Sequence, residues 1–116
     1  MALIRRLDEG EPFDWGEGEN YRVIHPGVGA KNLTLNYVRF GPGAEFFQHV
    51  HENSEDVFVI LEGSGWLKLG DEMIPIKAGD VVWVPAGEQH GTVAGPDGMV
   101  VISCQAPPDL KLYGEE

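Results

Sequence analysis

The sequence predicts an all-β fold, a sandwich or closed barrel, and three observations carry that prediction. Its apolar residues fall in short runs rich in β-branched and aromatic side chains, which is the composition of half-buried strands. Each run is closed by a turn signal, with sixteen glycines and eight prolines to supply them. Nowhere do apolar residues hold a 3.6-residue period long enough to support a helix.

The elements follow in order. Residues 3–7 read as a short edge strand, and LDEGEPFDWGEGEN after it as an acidic, Gly-bearing loop. Residues 21–24 (YRVI) form a strand ended by His25-Pro26-Gly27. Residues 33–40 (LTLNYVRF) place Leu33 and Leu35 two apart, as on a half-buried strand, and Gly41-Pro42-Gly43 turns the chain back. Residues 56–61 are nearly all apolar, and Gly63-Ser64-Gly65 is read as the next turn. Residues 66–69 follow, then Gly70-Asp71, a favoured two-residue hairpin connection. Residues 73–76 contain Pro75, which cannot donate to a ladder, so they belong at an edge. Ala78-Gly79-Asp80 turns into residues 81–84, and the stretch Ala94-Gly95-Pro96-Asp97-Gly98 is read as a turn into residues 99–104. Nine or ten short strands are expected, followed by a Pro-broken acidic tail.

Length and composition bound the function. A chain of 116 residues has room for one core, so residues 1–116 are read as one domain. Eight basic against nineteen acidic side chains leave a formal charge of −11, which argues against nucleic acid or an anionic membrane as partner. The lone Cys104 allows no intrachain disulfide, and the start MALIRRLDEG has too few apolar residues for a secretory segment. A cytoplasmic location is the expectation. Cys104 itself reads as a small buried hydrophobe, because no neighbouring base would activate it.

Three of the four histidines sit in two stretches. In residues 43–63, GAEFFQHVHENSEDVFVILEG, His49 and His51 are two apart, so an extended strand would aim both imidazoles to one side. The same alternation points Glu45 and Phe47 inward with them. An acidic pair, Glu55 and Asp56, follows after a short loop. Residues 79–90, GDVVWVPAGEQH, bring His90 in behind Pro85-Ala86-Gly87. The fourth, His25, stands before a proline in a turn, where solvation or a local hydrogen bond is its ordinary fate.

Both stretches resemble the two signature motifs of the cupin superfamily. Gly43, His49, His51 and Gly63 fall on the first, and its acidic position is Asp56, where the family usually has Glu. Gly79, Pro85, Gly87 and His90 fall on the second, whose final Asn is replaced by Ala94. Glu55 competes for the acidic role, but strand alternation and the spacing to Gly63 favour Asp56. The resemblance implies a double-stranded β-helix of jelly-roll type over residues 43–94. It also implies a metal site formed by His49, His51, Asp56 and His90. Imidazole and carboxylate ligands without a thiolate suit Mn, Fe, Co, Ni, Cu or Zn as divalent ions.

Such a site in such a barrel implies a metal-dependent enzyme on a small organic molecule, of dioxygenase, isomerase or lyase type, with no catalytic residue specified. The competing reading is a non-catalytic module that binds or senses a small ligand or a metal. A third, metal-free epimerase chemistry, would pair His51 or His90 with Tyr37 as acid. Tyr37 and Arg39 share a strand face and would hold an anion if that face were inward. Phe58 and Ile60 read as core, while for Trp83 either the ring or its neighbours Val82 and Val84 must face inside. Unpaired strand edges point to a homodimer, to which Leu3-Ile4 would add by joining a partner's sheet.

Overall fold

A computed structural model describes residues 2–109, and the acidic tail beyond Asp109 lies outside the described residues. Among these residues the fold is all-β, with eight strands and two short 3-10 turns. In order the strands are β1 (Glu11–Phe13), β2 (Glu19–Ile24), β3 (Thr34–Phe40), β4 (Glu45–His49), β5 (Glu55–Leu69), β6 (Glu72–Lys77), β7 (Val81–Val84) and β8 (His90–Ala106). Every pairing among them is antiparallel. No helix among the described residues is long and apolar enough to cross a membrane.

Two strands are far longer than the sequence suggests. β5 runs for 15 residues and β8 for 17, each continuing through a segment read above as a turn. Both belong to two layers. The first half of β5 pairs β7 and the second half of β8, which in turn pairs β3. The second half of β5 pairs β6 and the first half of β8, which pairs β4. The Gly-rich segments are therefore the places where the paired strands bend from one layer to the other. Gly63 lies opposite Met99, so a regular ladder would set Gly65 opposite residue 97; it lies opposite Ala94 instead, and the surplus of β8 bulges out.

The layers enclose Val38, Phe40, Ile60, Leu67, Ile76, Ala94, Met99 and Val101, with Ile60 and Met99 each only 2% exposed. Val84 is buried while Trp83 stands 60% exposed, so the neighbours of Trp83 face inside and the indole faces out. The hairpin at Gly70-Asp71 and the edge position of β6, with Pro75 opposite Trp66, are as expected.

The amino-terminal segment departs from its expected strand. Residues 2–6 have no ladder partner, Leu7–Glu9 make a 3-10 turn, and β1 begins inside the stretch read as loop. A side chain does the anchoring instead. The Arg5 guanidinium donates to the Val23 carbonyl at 3.0 Å, to the Glu9 carbonyl at 2.6 Å and to the Glu11 carboxylate at 2.8 Å. His25 joins this cluster: its Nε2 is 2.6 Å from Glu11, and its Nδ1 accepts the Gly27 N–H.

The hydrogen bond from Arg5, with a second from His25, lowers the Glu11 pKa from 4.5 to about 2. A depressed carboxyl contributes stability above its unfolded pKa, and that contribution disappears as pH falls from 4.5 through about 2. The Glu11 side chain is half exposed, so salt should weaken the effect. An NMR titration is expected to find Glu11 near 2 in the wild type and much closer to 4.5 in Arg5→Ala. Equal values in the two proteins would remove Arg5 as the cause.

Candidate metal centre

His49, the last residue of β4, and His90, the first of β8, are cross-strand partners. Their rings lie 4.5 Å apart between centroids. His51 follows in the loop after β4, with its ring centroid 4.7 Å from that of His49. The Gly87 N–H donates to the His51 carbonyl at 2.9 Å, tying the loop before β8 to the loop after β4. One ring nitrogen from each histidine lies within 4.8 Å of the other two.

Which nitrogens converge follows from hydrogen bonding. The His49 Nδ1 lies 2.7 Å from the Phe47 carbonyl and the His90 Nδ1 2.9 Å from the Glu88 carbonyl. The His51 Nδ1 lies 2.8 Å from an Asp109 carboxylate oxygen. Carbonyl and carboxylate oxygens only accept here, so each Nδ1 must carry the proton and donate. In the neutral ring each Nε2 then keeps its lone pair.

Asp56 sits 4% exposed beside them, its Oδ2 at 3.1 Å from His90 Nε2 and 3.5 Å from His51 Nε2. The His90 contact is close but not aligned as a hydrogen bond, and His90 Nε2 is left buried without a partner. A buried nitrogen without a hydrogen bond, beside a buried carboxylate and two more imidazoles, is a donor set that a divalent cation would satisfy. Burial depresses the His49 pKa, with the neighbouring imidazoles adding to it against the pull of the Phe47 carbonyl. Burial also acts to lower His90, but the Asp56 carboxylate and the Glu88 carbonyl outweigh it and hold the group above the ordinary imidazole value.

Glu55 points the other way, exposed, and accepts the Trp83 indole N–H at 2.8 Å. The inward positions predicted for Phe47 and Glu45 are overturned. In a regular ladder Phe46 opposite Thr92 would set Gln48 opposite His90; His49 stands there instead, so β4 carries one extra residue. The bulge reverses the alternation. Phe46 therefore lines the cavity beside His49, Phe47 is 63% exposed, and Glu45 pairs with Lys68. Gly91 permits the bulge, since a Cβ there would meet the Phe46 carbonyl at 2.7 Å.

The triad opens into a cavity of about 50 Å³. Asn20, Asn36, Thr92, Ser103 and Gln105 supply polar wall, and Phe13, Trp15, Phe46 and Phe58 supply aromatic wall. The Trp15 ring meets His49 edge-on at 5.2 Å. A largely apolar cavity of about 30 Å³ adjoins the triad's cavity, between Phe40, Ile60, Met99 and Val101. Tyr37 and Arg39 are not on the wall; their neighbours Asn36 and Val38 are. Tyr37 lies on the opposite face, where its ring is 6.1 Å from that of Tyr21. An inward anion site at Tyr37 and Arg39 is thereby excluded, and so is the epimerase pair. The Cys104 thiol, half-buried, is raised in pKa by burial and then by the Asp56 charge. Nothing in the sequence drew attention to Asp109 or Trp15, because both contacts are made between segments distant in the chain.

A family model described as a cupin domain matches residues 36–104. The chain belongs to the cupin family. This cupin is 36% identical over 95 residues to dimethylsulfoniopropionate lyase DddW of Ruegeria pomeroyi, covering 80% of this chain but only 61% of that relative's length. It is 29% identical to an uncharacterized protein of Methanocaldococcus jannaschii, over 93% of this chain and 90% of the other. The solved structure of KdgF from Halomonas sp. superposes with a TM-score of 0.80 at 23% identity, covering 93% of this chain and 96% of that one, a likeness of fold.

Proposed function

We propose that this cupin holds one divalent transition metal through His49, His51 and His90, with Asp56 as the fourth ligand, and acts as a lyase on a small organic molecule. The carrying observation is that three Nδ1–H groups are engaged elsewhere, leaving three Nε2 lone pairs directed into one cavity. When bound, such a cation supplies Lewis acidity, polarising a substrate oxygen and stabilising negative charge that develops on it. Manganese, iron, cobalt, nickel, copper and zinc all suit this donor set.

The remaining wall defines the substrate class. Asn36, Ser103 and Gln105 offer amide and hydroxyl groups to an oxygen-bearing head, and the chamber between Phe40 and Met99 accepts a short apolar portion. Among the described residues lining the cavity, the ionisable side chains are His49, His51, His90 and Asp56. Asp56 is thus the one carboxylate available both to balance the cation and to accept a substrate proton. Phe13, Trp15, Phe46 and Phe58 keep water from the reacting atoms. The relative named as a lyase supports elimination over the dioxygenase and isomerase alternatives.

Elemental analysis of protein purified without an affinity tag should find about one transition-metal ion per chain. Turnover of small oxygen-bearing acids should then persist without dioxygen, whereas a dioxygenase would fall silent. Calorimetric binding of such acids without any product would favour the non-catalytic module instead.

The partner proposed for the outer face is a second copy of the chain. Cross-strand rows Tyr37–Ile102–Val59–Val81 and Leu35–Cys104–Val57–Trp83 make a continuous apolar surface, with Val81 65% and Trp83 60% exposed. These rows carry no charge although the chain as a whole has −11, which suits burial against an identical face across a two-fold axis. Sedimentation should give twice the chain mass of 12.7 kDa, and Trp83→Glu should halve it. A wild-type mass equal to one chain would refute the dimer. A cytoplasmic setting completes the proposal, with Cys104 remaining a reduced thiol.

A further inference from the structure

Two rings of the triad are set by their own strands. The His49 and His90 Nδ1 groups each bond the carbonyl two residues earlier, Phe47 and Glu88. The His51 ring has no such local acceptor; its Nδ1 bonds Asp109, 58 residues later in the chain. Asp109 reaches it on the segment that follows β8. That segment is held by the Ser54 hydroxyl, which donates to the Pro107 carbonyl at 2.7 Å. It is also held by the Asp109 N–H, which donates to the Gln105 Oε1 at 2.7 Å. Gln105 is buried and is the cross-strand partner of Asp56, so both carboxylates are placed from one rung of the β5–β8 ladder.

We infer that Asp109 is a positioning residue of the metal site. It locks His51 in the Nδ1–H tautomer, aims Nε2 into the cavity and makes that nitrogen a stronger donor to a cation. The inference rests on the metal-binding reading above. A carboxylate on the far nitrogen of a ligating histidine fixes the ring and raises its basicity, and losing such a partner typically costs about 10–100-fold in metal affinity. Asp109 never needs to touch the ion for this. Residues 107–109 would then be part of the site, and cation binding would hold them down as much as they prepare the ligand.

The test is titration of the metal-free protein with Co²⁺ alone, followed by the visible absorption of the bound ion. Asp109→Ala is expected to weaken Co²⁺ by about 10–100-fold and to alter the spectrum. Asp109→Asn, which keeps an acceptor for the Nδ1–H but not the charge, should lose less. Ser54→Ala, which loosens the segment that carries Asp109, should lose affinity in the same direction but by less, whereas Asp71→Ala, at the exposed turn between β5 and β6, should match the wild type. Wild-type affinity in Asp109→Ala, or an equal loss in Asp71→Ala, would overturn the inference. A wild type that takes up no Co²⁺ would instead defeat the metal reading itself.

Discussion

His90→Gln is expected to weaken metal binding by about 100-fold or more. A structural zinc site is worth roughly 10–16 kcal/mol, so one ligand of four carries about 3 kcal/mol. His90 is the right ligand to remove because its Nε2 is the buried nitrogen without a hydrogen bond. Glutamine can still donate to Asp56, so the metal-free variant should fold without leaving that carboxylate stranded. The readout is thermal unfolding with and without metal. At a free metal concentration of about 100 Kd the wild type gains about 2.7 kcal/mol, a rise on the order of 10 °C for a chain of this size. The variant should show almost none of that gain at the same concentration. Acid should erase the wild-type gain too, because protons compete with the cation for the imidazole lone pairs, and His90, held above the ordinary imidazole value, is lost at higher pH than His49, which burial depresses. Identical melting of metal-free and metal-loaded wild type at neutral pH would end the proposal.

Gly63→Ala should cost about 3 kcal/mol or more, a large share of the roughly 5–15 kcal/mol that holds a domain of this kind together. Gly63 sits where β5 bends between layers, at φ +79°, a left-handed conformation worth about 1–2 kcal/mol against any residue with a Cβ. Sterics add to this, because the new Cβ would lie 2.1 Å from the Gly98 carbonyl oxygen. That strand cannot retreat easily. Gly98 has φ +77°, and its own Cβ position would be 2.6 Å from the Phe40 carbonyl. Gly70 provides the control: its φ is +61° but nothing lies within 4 Å of a Cβ there, so Gly70→Ala should lose only the backbone share. Urea unfolding of the two variants measures the difference. Equal losses would show that the crossing of β5 and β8 is looser than the close approach implies.

The two glycine-rich segments show what a linear reading captures and where it fails. Gly63-Ser64-Gly65 and residues 94–98 do mark sharp changes of direction, because only glycine tolerates those dihedrals and contacts. Yet a strand that ends and a strand that bends across to a second layer have the same local composition. Whether pairing resumes beyond the bend depends on the partner strand, and the partner is distant in sequence. β4 teaches the same lesson at shorter range. Alternation places Phe47 beside His49, and one extra residue reverses the assignment and brings in Phe46.

By itself the sequence determined the all-β class, the hairpin at Gly70-Asp71, and the grouping of His49, His51 and His90. Each of these is carried by local spacing, side-chain chemistry or matched motifs. Only the tertiary structure decided that Phe46 lines the cavity, that Tyr37 and Arg39 face away from it, and that Asp109 meets His51 Nδ1. Those three depend on register and on where the segment after β8 meets the loop between β4 and β5. Antiparallel ladders joining residues 40 or more positions apart settle such matters, and no local pattern encodes them.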